Sequence, residues 1–429
     1  MQIGLYPVQI IMSSFIVIMR ALNVGLAVVK REYLGGIVLL CGSMKITSLG
    51  VLFLIVISSC KNSEIRHPAS VIAIKPSKHL FNEDIEAFSD SLFFRTLSSD
   101  DNFFITSVEK MFITDTRIIV FDSRKNSILI FSQRGTAIGK ISQSDYDPLS
   151  FKVITDVAFD EKKQQIKIWD AKDRKIFTYS VDGKFIDGFS LNDMEKKGLG
   201  LEVNSNLLVF DRFNFSKDGK RIAVFDGQKH NFLNSYLEIP PVLVNFHLAP
   251  SHAFDVNQDS IFYLPMFDDN IYRVDRNGIT PTFTIESPQA NKIGQDFLKS
   301  KAMVNSKDYK ERMLNTDYIF NIQNLHITNN IVHFVYSHND PQRHNYGVFY
   351  SRGSGKVKQI NVFTSKMYSK FVINSKVHAK WKDYLIFIVP ALHNSSIPKE
   401  ILKGFPKELT EDLSKRSNPI LLFLRPRAF

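Results

Sequence analysis

Cysteine and tryptophan are nearly absent: two of each among 429 residues. Two cysteines cannot build a disulfide framework or a cysteine-based zinc site. Alanine is sparse, which argues against helical bundles. No run of five like charges occurs, so the formal net charge of +11 is dispersed over a solvated surface. A basic stripe for nucleic acid is the lesser reading. What is abundant is Phe, with 36 residues, and Tyr, with 14. Aromatic and β-branched residues favour strands. With 44% hydrophobic and 23% charged residues, bulk disorder is excluded. The length suits two or three ordinary domains or one large repeat architecture.

Residues 1–59 differ from the rest. They hold four basic residues (Arg20, Lys30, Arg31 and Lys45), a single acid (Glu32) and two apolar stretches, 3–29 and 46–59. The second, ITSLGVLFLIVISS, is short for a membrane span, which needs ~20 residues. It has the length of a secretion signal's apolar core, with Met44-Lys45 before it as initiator and charged region. Cys60 follows. Ile57-Ser58-Ser59-Cys60 is similar to the lipobox of bacterial lipoproteins, which implies diacylation of the Cys60 thiol and cleavage in front of it. Two acyl chains anchor far better than one. The rival is an ordinary cysteine at the end of a membrane helix. Met44 is then the expected start, residues 1–43 an upstream extension, 44–59 the signal peptide and 60–69 a tether. A two-span hairpin, 3–29 and 34–59, is the alternative, at the cost of Arg20 and Lys45 inside spans.

The body, 70–429, contains a repeat. Arg117-IIVFD-SRKN-SILIF-SQRG ends at Gly135, and Gln165-IKIWD-AKDR-KIFTY-SVDG ends at Gly183, both Asp and Gly recurring at an interval of 48. Ser260-IFYLP-MFDD-NIYRV-DRNG, ending at Gly278, is a third copy, and Arg221-IAVFD is a partial fourth. Alternating apolar residues put every second side chain on one face. The Asp before each polar loop can cap backbone N–H groups, and Gly135 and Gly183 supply the positive φ of a tight turn. With flanking apolar runs, each unit makes four antiparallel strands, a propeller blade. A β-sandwich is the alternative, but it requires no Gly turn every 48 residues. Phe93 to Pro390 spans roughly 300 residues, or six blades at ~45 each. Ser70–Ile74 is the expected ring-closing strand. Residues 289–317 read as a helical insertion and 398–415 as a helical C-terminal segment, followed by a strand at 419–424.

These hairpins, the segment Asn270–Gly278 followed by Ile279-Thr280-Pro281, and the late insertion resemble the six-bladed β-propeller lipoproteins of Gram-negative bacteria, related to NHL-repeat propellers. The ending Leu413…Ser417-Asn418-Pro419-Ile420-Leu421-Leu422 is similar to that family's closing motif. Lys415-Arg416-Ser417 depart from the acids usual before Asn-Pro. The resemblance implies an all-β six-bladed propeller and export to the outer membrane. It implies little about activity.

No chemistry-bearing constellation stands out. Four histidines (His326, His333, His338 and His344) fall within 19 residues, with His333 expected mid-strand and His338 in a loop, where they do not converge on a metal. Asp100-Asp101 and Asp268-Asp269 lack calcium-loop spacing and read as turn caps. There is no GxSxG elbow. Gly353 and Gly355 suit a hairpin turn better than a phosphate loop. Trp381 and Trp169 could stack on a sugar, although Trp169 replaces Phe121 in the repeat and reads as core. The expectation is a membrane-anchored, extracytoplasmic binding module for an unknown protein or carbohydrate ligand. It has no catalytic residues, cofactor, metal or nucleic-acid partner, and lipidation at Cys60. A hydrolase or lyase with its site in the central channel is the alternative, to be decided by titratable side chains at the channel mouth.

Overall fold

In a computed structural model the chain divides into two compact units, 1–67 and 68–429. The structure describes residues 70–76, 81–143, 151–192, 194, 200–213, 216–241, 252–291, 318–338, 345–366, 372–389 and 418–429. The expected signal segment, Cys60, most of the expected insertion and the expected helix at 398–415 lie outside the described residues. Within them, helix is confined to α1 (Ile85–Phe88) and a 3-10 turn at Gln289–Asn291.

The chain opens with β1 (Ser70–Ala73), β2 (Asn82–Asp84) and, after α1, β3 (Ser89–Arg95). Three four-stranded antiparallel sheets follow. The first is β4 (Lys110–Ile113), β5 (Arg117–Asp122), β6 (Ser127–Ser132) and β7 (Ala137–Ser142). The second is β8 (Asp156–Asp160), β9 (Gln165–Asp170), β10 (Lys175–Ser180) and β11 (Phe185–Ser190). The third is β12 (Gly200–Asn204), β13 (Leu207–Asp211), β14 (Lys220–Asp226) and β15 (Asn231–Glu238). A fourth sheet joins β16 (Phe254–Asn257), β17 (Ser260–Tyr263), β18 (Asn270–Asp275) and β19 (Gly278–Glu286), with β1 added in parallel on β19. The fifth is β20 (Ile319–Ile327), β21 (Ile331–His338), β22 (Asn345–Ser351) and β23 (Val357–Ile360). Next comes a small sheet of β24 (Val362–Thr364) and β25 (Val372–Asn374) with β2. The last combines β26 (Ala379–Trp381), β27 (Tyr384–Val389) and β28 (Ile420–Pro426) with β3.

Seven sheets thus stand where six blades were expected. Strands of three residues, too short to show an alternation, form the small sheet, and they took no share in the count by length. Its Phe363 and Ile373 sit in one apolar cluster with Phe349 of the fifth sheet and Leu422 of the last.

The core lies between neighbouring sheets, and alternation is what feeds it. Ile118 and Val120 of β5 pack toward Ile386 and Phe423 of the last sheet. Ile119 and Phe121 of the same strand pack toward Ile166 and Ile168 of the second. Similar clusters join the second sheet to the third, the third to the fourth and the fourth to the fifth, so the interfaces run full circle.

The turns form as their residues dictate. Gly135 and Gly183 have φ of +90° and +83°. Asp122 Oδ1 accepts the N–H groups of Arg124 and Lys125, and Asp170 Oδ1 those of Lys172 and Asp173. Asp226 caps Gln228 and Lys229 in the same way. It ends the third strand of its sheet, however, so Arg221–Asp226 is not a fourth copy in register.

The expected closing strand is corrected. Residues 70–73 add a fifth strand to the outer edge of the fourth sheet, where Ile72 and Ile74 pack on Phe283 and Ile285. Closure belongs to β3, paired antiparallel with β28 from Leu421↔Arg95 to Leu424↔Leu92. The Asn-Pro ending reinforces it. Asn418 Oδ1 accepts the N–H of Ile105 at 2.7 Å, and its amide donates to the carbonyls of Ser98 and Phe103, each at 2.8 Å. The C-terminal end of the chain is therefore pinned to the loop that leads into the first sheet.

Candidate functional site: the central cavity

The first strands of the six larger sheets (β4, β8, β12, β16, β20 and β26) face inward around a cavity of about 530 Å³. Its rim comes from the hairpin turns after those strands: Asp115 and Thr116, Glu161 and Gln164, Gln258, Asn329, and Lys382. Phe112, Phe159 and Trp381 contribute aromatic wall.

Two lysines cross this space in the same manner. Lys110 Nζ donates to Asp156 Oδ2 at 2.7 Å, to the carbonyl of Val157 at 3.1 Å and to that of Leu201 at 3.3 Å. The N–H of Leu201 donates to the same Asp156 oxygen at 2.7 Å. Lys380 Nζ donates to Asp255 Oδ2 at 2.5 Å, to Ile327 O at 2.5 Å and to Val256 O, and the Ile327 N–H returns to Asp255 at 2.5 Å. An ammonium has three donors, and each of these has three acceptors. Both cations are spent on joining three inner strands.

Glu202, on β12, is treated differently. It is 6% exposed, lines the cavity, and among the described residues its Oε1 accepts the N–H of Val203, at 3.0 Å. Burial pushes its carboxyl up to about 7, against the opposing pull of the Lys110 charge.

Three histidines also line the cavity: His252, His326 and His378. Burial, aided by Lys110 and Lys376, depresses His252 to about 3. Burial, then Lys376, does the same to His378. His326 lies well below the usual imidazole range, through burial and then through His252 and His333. All are neutral at pH 7. Nε2 of His326 and Nδ1 of His378 are buried without a hydrogen-bond partner. The ring centroids of His326 and His252, and of His326 and His333, are 6.2 Å apart.

Of the four sequence-clustered histidines, the structure brings together His326 and His333, which face each other across β20 and β21. His338 ends strand β21 rather than lying in a loop, and His344 is outside the described residues. Among the described residues no three His, Cys, Asp or Glu side chains are placed to hold a metal ion. Asp100 and Asp268 cap their turns, through the N–H groups of Asn102 and Phe103 and of Asn270. Gly355, with φ +73°, sits in the hairpin between β22 and β23. Trp169 is fully buried against Phe210. Trp381 lines the cavity, but its indole N–H is held by Asp115 at 3.0 Å, and Lys382 Nζ lies 4.6 Å from its ring centroid. Lys110, Glu202, His252, Asp255 and Lys380 carried no sequence signal, because their meeting depends on strands 45 or more positions apart.

A ring of antiparallel sheets with inward first strands and a terminus-to-terminus sheet defines a β-propeller. The chain belongs to the family described as Domain of unknown function (DUF4934), which matches residues 78–425. No curated protein matches. Among solved structures the chain is similar to a presumed exported protein of Bacteroides fragilis, at 18% identity and a TM-score of 0.65, over 83% of this chain and all of that one. It is also similar to a DUF4221 member of Bacteroides vulgatus, at 8% identity and a TM-score of 0.46, over 79% of this chain and 97% of that one. The likeness to the Bacteroides fragilis protein shows the fold.

Proposed function

We propose that this propeller is a non-catalytic, extracytoplasmic binding module, tethered to the outer membrane by lipid at Cys60, that takes its protein or carbohydrate ligand at the central cavity. The observation that carries the reading is the state of the cavity's charges. Both crossing lysines are saturated by the protein's own carboxylates and carbonyls, as in a site built to be rigid. The lipobox-like Ile57–Cys60 supports the anchor, and the exported description of the Bacteroides fragilis protein agrees with a location outside the cytoplasm.

Two measurements test this. Intact mass of the native protein should show Cys60 diacylated and N-terminal; a peptide from residues 1–43, or an unmodified Cys60, sinks the anchor. A melting-temperature screen of neutral sugars, amines and amino acids should yield stabilisers whose effect is lost in T116W, which fills the cavity rim. No stabiliser, or turnover of one, defeats the binding reading. The second reading, a hydrolase or lyase, is favoured by one observation: a carboxyl near pH 7 beside neutral imidazoles has the poise of a general acid or base.

A further inference from the structure

We propose that the cavity takes an organic cation, a ligand bearing a protonated amine, with Glu202 as its counter-ion. The proposal rests on the binding reading above and names its ligand class.

Anions have no free cation to meet among the described lining groups. The ammonium groups of Lys110 and Lys380 each have three acceptors, and Lys382 is paired with Asp115. Charge runs the other way. Four carboxylates (Asp115, Glu161, Glu202 and Asp255) line the cavity against three lysines, although the whole chain is formally +11. Of the carboxylates on the inner strands, Asp156 and Asp255 are tied to lysines; Glu202 and Asp160 have no ion pair among the described residues, and of these two Glu202 is the one that lines the cavity. It is more than nine-tenths buried and faces the cavity. A buried carboxylate without a partner is costly, so burial favours the protonated form and a bound cation would favour the ionised one.

An ammonium has three donors, and an ionised carboxylate is the strongest kind of acceptor for them. Phe112 and Phe159, with ring centroids 6.0 Å apart, offer aromatic surface to the carbon skeleton beside such a charge.

The groups that face Glu202 are Lys110 on β4, Asp156 on β8, Asp255 on β16 and the N–H of Val203 on its own strand. With these fixed, amine binding near pH 7 drives the proton off Glu202, and the protein releases a fraction of a proton per ligand bound.

The test uses the mature protein with glucosamine and putrescine as amine probes, and glucose as the neutral counterpart of glucosamine. Titration calorimetry at pH 7, in two buffers of different ionisation heat, should show both amines binding with proton release. E202Q, checked for a cooperative melting transition no lower than that of the wild type, should weaken them by about tenfold or more. The wild-type proton release needs no variant and stands even if E202Q misfolds. Absence of binding by either amine, binding without proton release, or equal affinity in E202Q overturns the proposal. If glucose binds as well as glucosamine, and T116W abolishes both, the amine assignment falls while the binding reading survives.

Discussion

Lys380 and Asp255 lie on strands separated in the chain by the whole fifth sheet, yet their side chains meet at 2.5 Å and enclose the β20 backbone at Ile327 between them. Lys110 and Asp156 repeat the arrangement with Leu201. The same three-strand clasp thus occurs twice in one ring. Removing the lysine alone leaves a carboxylate buried without its cation. K380M should therefore destabilise the protein by about 3–5 kcal/mol, while K380M combined with D255N should cost less than the two changes added. Denaturant midpoints at constant m-value check this; strict additivity would mean that the pair is not coupled.

Gly135 and Gly183 share a turn type but not a neighbourhood. A Cβ at Gly135 would sit 1.9 Å from the Thr96 carbonyl oxygen, whereas at Gly183 its nearest neighbour is the movable Ile130 Cδ1 at 3.1 Å. Both alanine variants carry the strain of positive φ. G135A should exceed the ~1 kcal/mol typical of a point change, and G183A should cost clearly less. Equal thermal shifts would contradict the clash.

Truncation separates the two N-terminal strands. Deleting residues through Lys75 removes β1 from an outer edge and should lower the melting temperature without oligomerisation. Deleting through Arg95 removes the partner of β28 and exposes an apolar strand edge. The longer truncation should aggregate on size-exclusion chromatography; a monomer with the shorter variant's melting point would show that β3 does not close the ring.

Acid should loosen the cavity. The imidazoles of His252, His333 and His378 lie near 3, lowered first of all by desolvation. The unfolded chain therefore binds their protons first, and stability present above pH 6.5 is lost as pH falls from there toward 3. Glu202 acts in the other direction: its raised value makes the native state lose stability as pH rises from about 4.5 through 7. E202Q should therefore gain on the wild type from pH 5 to pH 8, and H333F, placed against Phe349, should flatten the acid limb. Parallel pH profiles for wild type and variants would refute both assignments.

Local chemistry was legible in the residues. Alternation such as that of Ile118 and Val120 placed the strand Arg117–Asp122, the Asp of Asp122 and Asp170 announced their caps, and the Gly interval marked the turns. What was not legible depended on pairing between distant segments. Ser70–Ile74 is apolar enough to close a ring, and nothing in its composition distinguishes an outer fifth strand from a closing one. Phe363 and Ile373 sit in strands of three residues, below the length at which period two can be seen. The cavity groups follow the same logic. Glu202 reads as one acid among many until β12 turns inward and leaves it without a cation.

β3 and β28, paired in one sheet, lie more than 300 residues apart in the chain. Their hydrogen bonds, and those of Asn418, cannot form until the intervening sheets have been synthesised. Until then the chain is an open arc with an unpaired apolar edge at Leu92–Phe94. Such late, long-range closure is slow and prone to aggregation. Removing β28 should therefore leave the ring open at β3 and the chain sensitive to protease.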